Sequence, residues 1–329
     1  MMKNIVTTVI DAGGRYGLYP YWKPFKGELG YYLFEPDSLE AKRLKKKYKT
    51  RVNEIFIYDW ALGSEQGELE LNVFYNRAMS TSCERFKDKI TFVGEKQEEI
   101  KVVGKEKVPM TTIDDFCFEN KIELDFLKLD TEGTEFQVLK GGEIQLKNNI
   151  LGVGCEVNFD YVFKGMPIFT TIHDYMLERG FFLLNLSYRG QGFPLNEFVN
   201  VHDQYGIIRD CDAIWIKRKE HLFRSLIKSG QGAGIKVLKY AAFCLLNKAS
   251  DVAIDVLLEA RKKHGIHFND LKSTRLYSFM DIQLHKHFYS LKWQPGQSLK
   301  KHQSVYFDIF AKEMKTLHAY NQSLELNPD

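Results

Sequence analysis

Two short stretches near the start of the chain combine carboxylates with bare main chain: VIDAGGRYG, Val9 to Gly17, and LFEPD, Leu33 to Asp37. In the first, an apolar run ends on Asp11 and passes into Gly13, Gly14 and Gly17. In the second, another apolar run ends on Glu35. Glycines after a strand let the backbone approach a ligand closely and turn into the next element. A glutamate about 20 residues beyond such a turn can accept hydrogen bonds from both hydroxyls of a ribose. The two stretches together read as a nucleoside site. Dinucleotides place a pyrophosphate over a G-x-G-x-x-G turn, and a carboxylate just ahead of the glycines would repel it. S-adenosylmethionine (SAM), which carries an amine and a sulfonium, suits that charge.

More acids follow at the ends of apolar runs: Asp59 after EIFIY, Asp130 and Glu132 after DFLKL, and Glu156 within ILGVGCEVNF. In an open parallel sheet, ligands bind outside the carboxyl ends of the strands. Polar residues often follow strands simply because the chain surfaces there. Five strand ends in succession carrying acid argue for a shared ligand edge.

The elements that must position these residues are legible as apolar runs and periodicities. Short β-branched or aromatic runs predict strands at Ile5–Ile10, Tyr31–Phe34, Glu54–Leu62, Leu124–Asp130 and Ile150–Phe159. FFLLNLSY and CDAIWIKR predict a closing pair. GELELNVFYN alternates apolar and polar residues and reads as an added strand. Helices are expected after Asp37 or Ser38, either of which can cap, and over MTTIDDFCFEN, TEGTEFQVLKGG and IFTTIHDYMLERG. The lysines of Lys42–Lys49 read as the solvated face of the first helix. Residues 77–108 read as irregular and charged. Strands alternating with helices imply an α/β fold with a mostly parallel sheet.

The character of the chain changes near residue 219. From Lys219 onward there are 17 Lys/Arg against 10 Asp/Glu, a net of +7, which leaves the first 218 residues near −4 of the overall +3. IKVLKYAAFCLLNK, SDVAIDVLLEARKKHG and SVYFDIFAKEMKTLHAY carry helical periodicity, and strand signals are missing. The expected organisation is therefore an α/β domain over 1–218 and an all-α appendage over 219–329. The overall charge gives no sign of nucleic acid as a partner. No run approaches the roughly 18 apolar residues of a membrane span. Five Cys without a CxxC spacing read as free buried thiols in a reducing compartment. With no leader-like start, the chain is expected to be cytoplasmic.

DFLKLDTEGTEFQVLKGGE, Asp125 to Glu143, resembles the hallmark segment of FkbM-type SAM-dependent methyltransferases, in which a strand ends in Asp-x-Glu-Gly-x-Glu and runs into a helix ending Leu-Lys-Gly. TTIDDFC, VIDAGGRYG, LFEPD, ALGSEQGELEL and CDAIWIKR resemble further family segments in the same order, from about residue 5 to 218. The tail is not covered. The resemblance implies a class I methyltransferase (Rossmann-like) fold: a seven-stranded, mostly parallel sheet whose last strand is antiparallel. It implies O-methylation of a hydroxyl on a sugar, glycan precursor or related small metabolite. It also implies that Asp59, Trp60 and Ala61 border adenine. Gly14 and Arg15 depart from the family's Ala and Asn; Arg15 reads either as an anion contact or as a structural ion pair.

Transfer from a sulfonium is an in-line displacement, so positioning supplies much of the catalysis. A hydroxyl nucleophile also needs a base. Candidates are Asp130, Glu132, Glu156 and His173, with helix packing as the competing reading for His173 and a first-turn structural role for Glu132. Asp130 and Glu156 fall on neighbouring strands if the family strand order holds. Magnesium between them is the less favoured reading, and no metal site is assigned. Met79–Phe86 reads as a hydroxyl-rich loop bordering the acceptor. His202 has no assigned role. His264, His267, His285 and His287 read as surface histidines, and the tail as a packing or homo-oligomer element. A catalytically inactive methyltransferase-fold scaffold is the alternative function, and an NAD-linked oxidoreductase a third.

Overall fold

The structure is a computed structural model that describes residues 7–51, 54–86, 98–187, 208–229, 232–290 and residue 309. In chain order the first elements are β1 (Thr7–Ala12), β2 (Leu29–Phe34), α1 (Ser38–Lys47), β3 (Ile55–Tyr58), β4 (Ala61–Leu62), β5 (Gly67–Phe74) and β6 (Val102–Thr111). They are followed by α2 (Ile113–Asn120), β7 (Phe126–Leu129), α3 (Glu135–Lys140), α4 (Glu143–Asn148), β8 (Gly152–Asn158), α5 (Phe169–Glu178), β9 (Phe181–Ser187) and β10 (Asp210–Lys217).

Seven of these strands form one sheet in the order β3-β2-β1-β7-β8-β10-β9. All neighbours are parallel up to β8, and β10 runs antiparallel to both β8 and β9. This is the expected mixed α/β arrangement. The chain reverses direction from the centre after β3 and returns at β7, so the carboxyl ends of β1 and β7 lie side by side. β1, an interior parallel strand between β2 and β7, is buried along both of the faces to which its side chains alternate. Ile10 and Ala12 join the core with Leu127, Leu129, Val153, Phe116 and Trp215. Val9 and Asp11 face the other way, in register with Tyr31 and Leu33 of β2 and with Phe126 and Lys128 of β7.

A second, three-stranded sheet has the order β4-β6-β5. It corrects the reading of 77–108 as irregular: β6 occupies its last part. Val102 and Val103 are exposed, as are Gly104, Lys105 and Lys107, so β6 shows no apolar alternation. Its pairing comes from the β5 register and from cross-strand charges, such as Lys105 to Glu70 at 2.5 Å. Residues 87–97 lie outside the described residues.

The helix signals hold locally. Asp37 is the N-cap of α1, accepting from Leu39 N at 3.0 Å and Glu40 N at 3.3 Å, while Ala41 and Leu44 turn inward. Thr112 caps α2. All five cysteines are free and buried.

The chain divides into two compact units, Met1–Ser225 and Leu226–Asp329. After β10 come α6 (Lys219–Ser229), α7 (Ala233–Leu246), α8 (Ser250–His264) and α9 (Arg275–Ser290), with no strand among the described residues. The division falls inside α6. Within the second unit, α7 buries Val237, Leu238, Ala241 and Phe243, and α8 buries Ala253, Val256 and Leu257. His264 and His267 are exposed as expected, but His285 is buried. Two residues apart on a helix, His285 and His287 take different faces. His285 lies on the inward side with Asp281 and Leu284. His202, and the stretch 304–320 apart from Ile309, lie outside the described residues. No helix is long and apolar enough to cross a membrane among the described residues.

Candidate functional site

The β1 turn is built by close approach. Gly13 has φ +77°, and a Cβ there would collide with the Asp130 carbonyl. Only glycine lets the turn lie against the end of β7. The N–H groups of Gly13 and Gly14 both donate to the Phe34 carbonyl, at 3.0 and 3.2 Å. The turn therefore offers a ligand its bare surface rather than its donors. A Cβ on Gly14 would meet Leu33, and one on Gly17 would meet Tyr48; these two glycines serve packing and do not line the cleft.

The cleft opens at the carboxyl edge of β1, β2 and β7. Ala12, Gly13, Glu35, Trp60, Ala61 and Asp130 line it, together with Arg15, Asp37, Arg77, Ser80, Ser82 and Glu132. Of the residues read from the sequence, Gly13, Arg15, Glu35, Trp60, Ala61, Asp130 and Glu132 meet here, and Glu156 joins at the adjoining carboxylate cluster. The Met79–Phe86 loop borders the same cleft through Ser80 and Ser82.

Glu35 is 5% exposed. Its backbone N–H is held by the Tyr58 carbonyl at 2.9 Å, and its Oε1 accepts from Asp37 N at 2.9 Å. Burial pushes its carboxyl up to about 7. Asp37 takes a two-pronged grip from Arg77, at 2.7 and 2.8 Å, and a contact from Arg15 at 2.9 Å. Burial opposes ionisation there, but the two guanidinium groups hold its carboxyl well below the usual range. Arg15 is thus an ion-pair partner that also lines the cleft.

Asp11 and Asp59 do not line it. Asp11 is 1% exposed, accepts from the Tyr31 hydroxyl, and lies 3.2 Å from Lys128 Nζ. Lys128 also lies 3.4 Å from Asp130 Oδ2. Asp11 is a clamp beneath the turn. Its position on β1 points it to the face opposite Ile10 and Ala12. Asp59 is half-exposed and pairs with Lys45 of α1 at 3.1 Å.

At the far end, carboxylate oxygens of Asp130, Glu132 and Glu156 lie within 4.8 Å of one another. Adjacent strands β7 and β8 bring Asp130 and Glu156 together. Glu132 joins them because its backbone is left-handed, φ +56°, followed by Gly133 at φ +107°. Glu135 ties this loop down: buried at 4% exposure, it accepts from Thr131 N at 2.7 Å and Gly133 N at 3.1 Å. Burial, then the charge of Asp130, pushes the Glu132 carboxyl up to about 7. Three oxygens this close could hold a cation or share a proton.

His173 is not part of this cluster. Its Nδ1 accepts from the Trp215 indole at 3.1 Å, and its ring stacks on Phe169 at 5.2 Å. Sequence reading missed Lys128, Asp37 and Arg77. The only available signal was the cap pattern at Asp37.

A seven-stranded sheet of this order, with a glycine turn after its central strand and a buried acid after the next, is consistent with a Rossmann-like methyltransferase fold. Residues 11–183 match the family model described as Methyltransferase FkbM domain; this is just over half of the chain, and the chain belongs to that family. The crystal structure of Methyltransferase FkbM from Methylobacillus flagellatus KT is similar over 64% of this chain and 43% of that one, at 14% identity and a TM-score of 0.39. This chain therefore spans less than half of that protein. No curated protein matches.

Proposed function

We propose that the chain is a SAM-dependent methyltransferase acting on a hydroxyl of a sugar, glycan precursor or related small metabolite. Family membership supports methyl transfer. The observation that carries the finer reading is that one cleft runs from a buried carboxylate at the end of β2 to a carboxylate cluster at the ends of β7 and β8.

The residues present fit the cofactor. Glu35 would accept from the ribose diol. Trp60, Ala61 and Leu62 form an apolar wall for adenine. The bare turn at Gly13 and the carboxylate of Asp130 would receive the charged amino-acid end. When bound, the cofactor supplies an electrophilic methyl group.

The chain's own groups do the rest. Glu132, with its carboxyl near neutrality, is matched to take a proton from a hydroxyl at working pH. Asp130 beside Lys128, and Glu156 in the same carboxylate cluster, complete an acidic surround that suits a neutral polyol. The C–O bond forms as the C–S bond breaks, and the hydroxyl proton passes to the carboxylate cluster. No magnesium is needed for that balance.

The test is transfer of a radiolabelled methyl group from SAM to a panel of sugars, nucleotide sugars and aliphatic polyols, by wild type and Glu132→Gln. Labelled methyl ether on one acceptor class, reduced about a hundredfold or more by the substitution, supports the reading. Label on nitrogen or carbon acceptors alone contradicts it.

A further inference from the structure

The segment 77–86 crosses the cleft and is tied at both ends. At the ribose end Arg77 grips Asp37 through Nε at 2.7 Å and Nη2 at 2.8 Å, and the same Nη2 lies 2.9 Å from Glu106 of β6. At the carboxylate end the Thr81 hydroxyl donates to the Glu132 carbonyl at 2.5 Å and accepts from Cys83 N at 3.0 Å. Phe86 N then reaches the Val162 carbonyl at 3.1 Å. Between the anchors, Ala78, Ser80 and Ser82 line the cleft.

We propose that Arg77 is a positioning residue for the cofactor: by fixing Asp37 it aims the Asp37 N–H at Glu35, and it straps the 77–86 segment over the ligand. Asp37 is the pivot. Its side chain is 3% exposed and is shared by Arg77, Arg15 and the first turn of α1. Its backbone N–H donates to Glu35 Oε1. A two-pronged guanidinium–carboxylate grip fixes both distance and plane, which a lysine cannot do. Without it, Asp37 keeps only Arg15 and its cap bonds, and the donor that orders Glu35 is held less firmly. The charged groups around Glu35 are Arg15 from the β1 turn, Asp37 at the cap and Glu40 in α1, with Arg77 reaching Asp37 from beyond β5.

This rests on the reading of the cleft as a SAM site, so the experiment separates the two. Isothermal titration with S-adenosylhomocysteine is run on the full chain as wild type, Arg77→Lys, Arg77→Met and Glu106→Gln, from pH 6 to 8. Arg77→Met should weaken binding about tenfold or more, the loss expected of a hydrogen-bonded charged contact. Arg77→Lys should not restore it. Glu106→Gln, which leaves the grip on Asp37, should bind like wild type. The midpoint at which affinity rises with pH, set by Glu35, should move upward in both Arg77 variants, because the Asp37 N–H that favours ionised Glu35 is no longer held. A merely structural role would leave that midpoint in place. Wild-type affinity and midpoint in Arg77→Lys overturn the proposal, and they do so even if Arg77→Met fails to fold. Absence of binding by wild type overturns the SAM reading beneath it.

Discussion

The Asp11 carboxylate lies 3.2 Å from the Lys128 ammonium, across the register that pairs β1 with β7. The pair sits beneath the glycine turn, with the Tyr31 hydroxyl as a third member. Asp11 is buried but Lys128 is partly exposed, so removing either partner costs about 1–3 kcal/mol, as for a buried polar group left unsatisfied. Lys128→Met and Asp11→Asn should each lower the unfolding free energy toward that range. The double variant should lose less than the sum, because the two changes share one interaction. Urea unfolding measures all three. The folded fraction of Asp11→Asn should keep near-wild-type affinity for S-adenosylhomocysteine. Lost affinity at unchanged stability would return Asp11 to the ligand.

His173 makes a second contrast between packing and catalysis. Its Nδ1 accepts from Trp215, which places the imidazole proton on Nε2 and ties the ring to α5 and β10. Truncation to alanine leaves a buried indole N–H unsatisfied. His173→Ala should destabilise by about 1–3 kcal/mol, while the methyl-transfer rate of the folded protein stays within a few-fold of wild type. Thermal unfolding and a transfer assay read the two quantities separately. A collapse in transfer at normal stability and cofactor affinity would make His173 the base.

Much of this arrangement was legible in the sequence, and the failures have physical causes. Strand ends announce themselves because an apolar run stops at an acid, so Glu35, Asp130 and Glu156 were visible. Which face an acid takes was not visible on β1, because both faces of a central parallel strand are buried and the parity signal vanishes. The sequence therefore suggests a ligand-facing Asp11, whereas its carboxylate meets Tyr31 and Lys128. Asp59 follows the edge strand β3, half-exposed, and the strand exit turns it to Lys45 of α1. Gly14 and Gly17 were read as a cradle, although Leu33 and Tyr48 fill the space beside them. The β5–β6 ribbon hid because β6 is exposed and charged. Arg77 and Lys128 were silent because their partners lie 40 and 117 residues away in sequence; Thr8 and Asp125, which meet across the same β1–β7 pair, span that larger gap.

Lys217 gives the fold a pH signature. It is 4% exposed at the end of β10, donates to the Leu146 carbonyl and, at 3.2 Å, to the Arg179 carbonyl, and has the Phe181 ring 3.8 Å away. Burial lowers its pKa from 10.5 to about 7. Between these values the unfolded chain binds the proton and the folded one does not, so stability rises with pH across that window, with a slope of up to about 1.4 kcal/mol per pH unit. Glu35 and Glu132, raised to about 7, act in the opposite sense below it: stability falls as pH climbs from their unfolded value of 4.5 toward 7. Denaturant unfolding from pH 7 to 10 should show the rise in wild type and a flatter curve in Lys217→Met. Parallel curves would contradict the buried, deprotonated lysine.

The most direct measurement is isothermal titration of the folded chain with SAM, S-adenosylhomocysteine and NAD, on wild type and Glu35→Ala. Micromolar binding of the first two, none of NAD, and at least a tenfold loss in the variant are expected, the loss being that of a charged hydrogen-bond partner removed from a ribose. Well-folded wild type that binds neither SAM nor its product, or binds them equally without Glu35, would contradict the SAM reading.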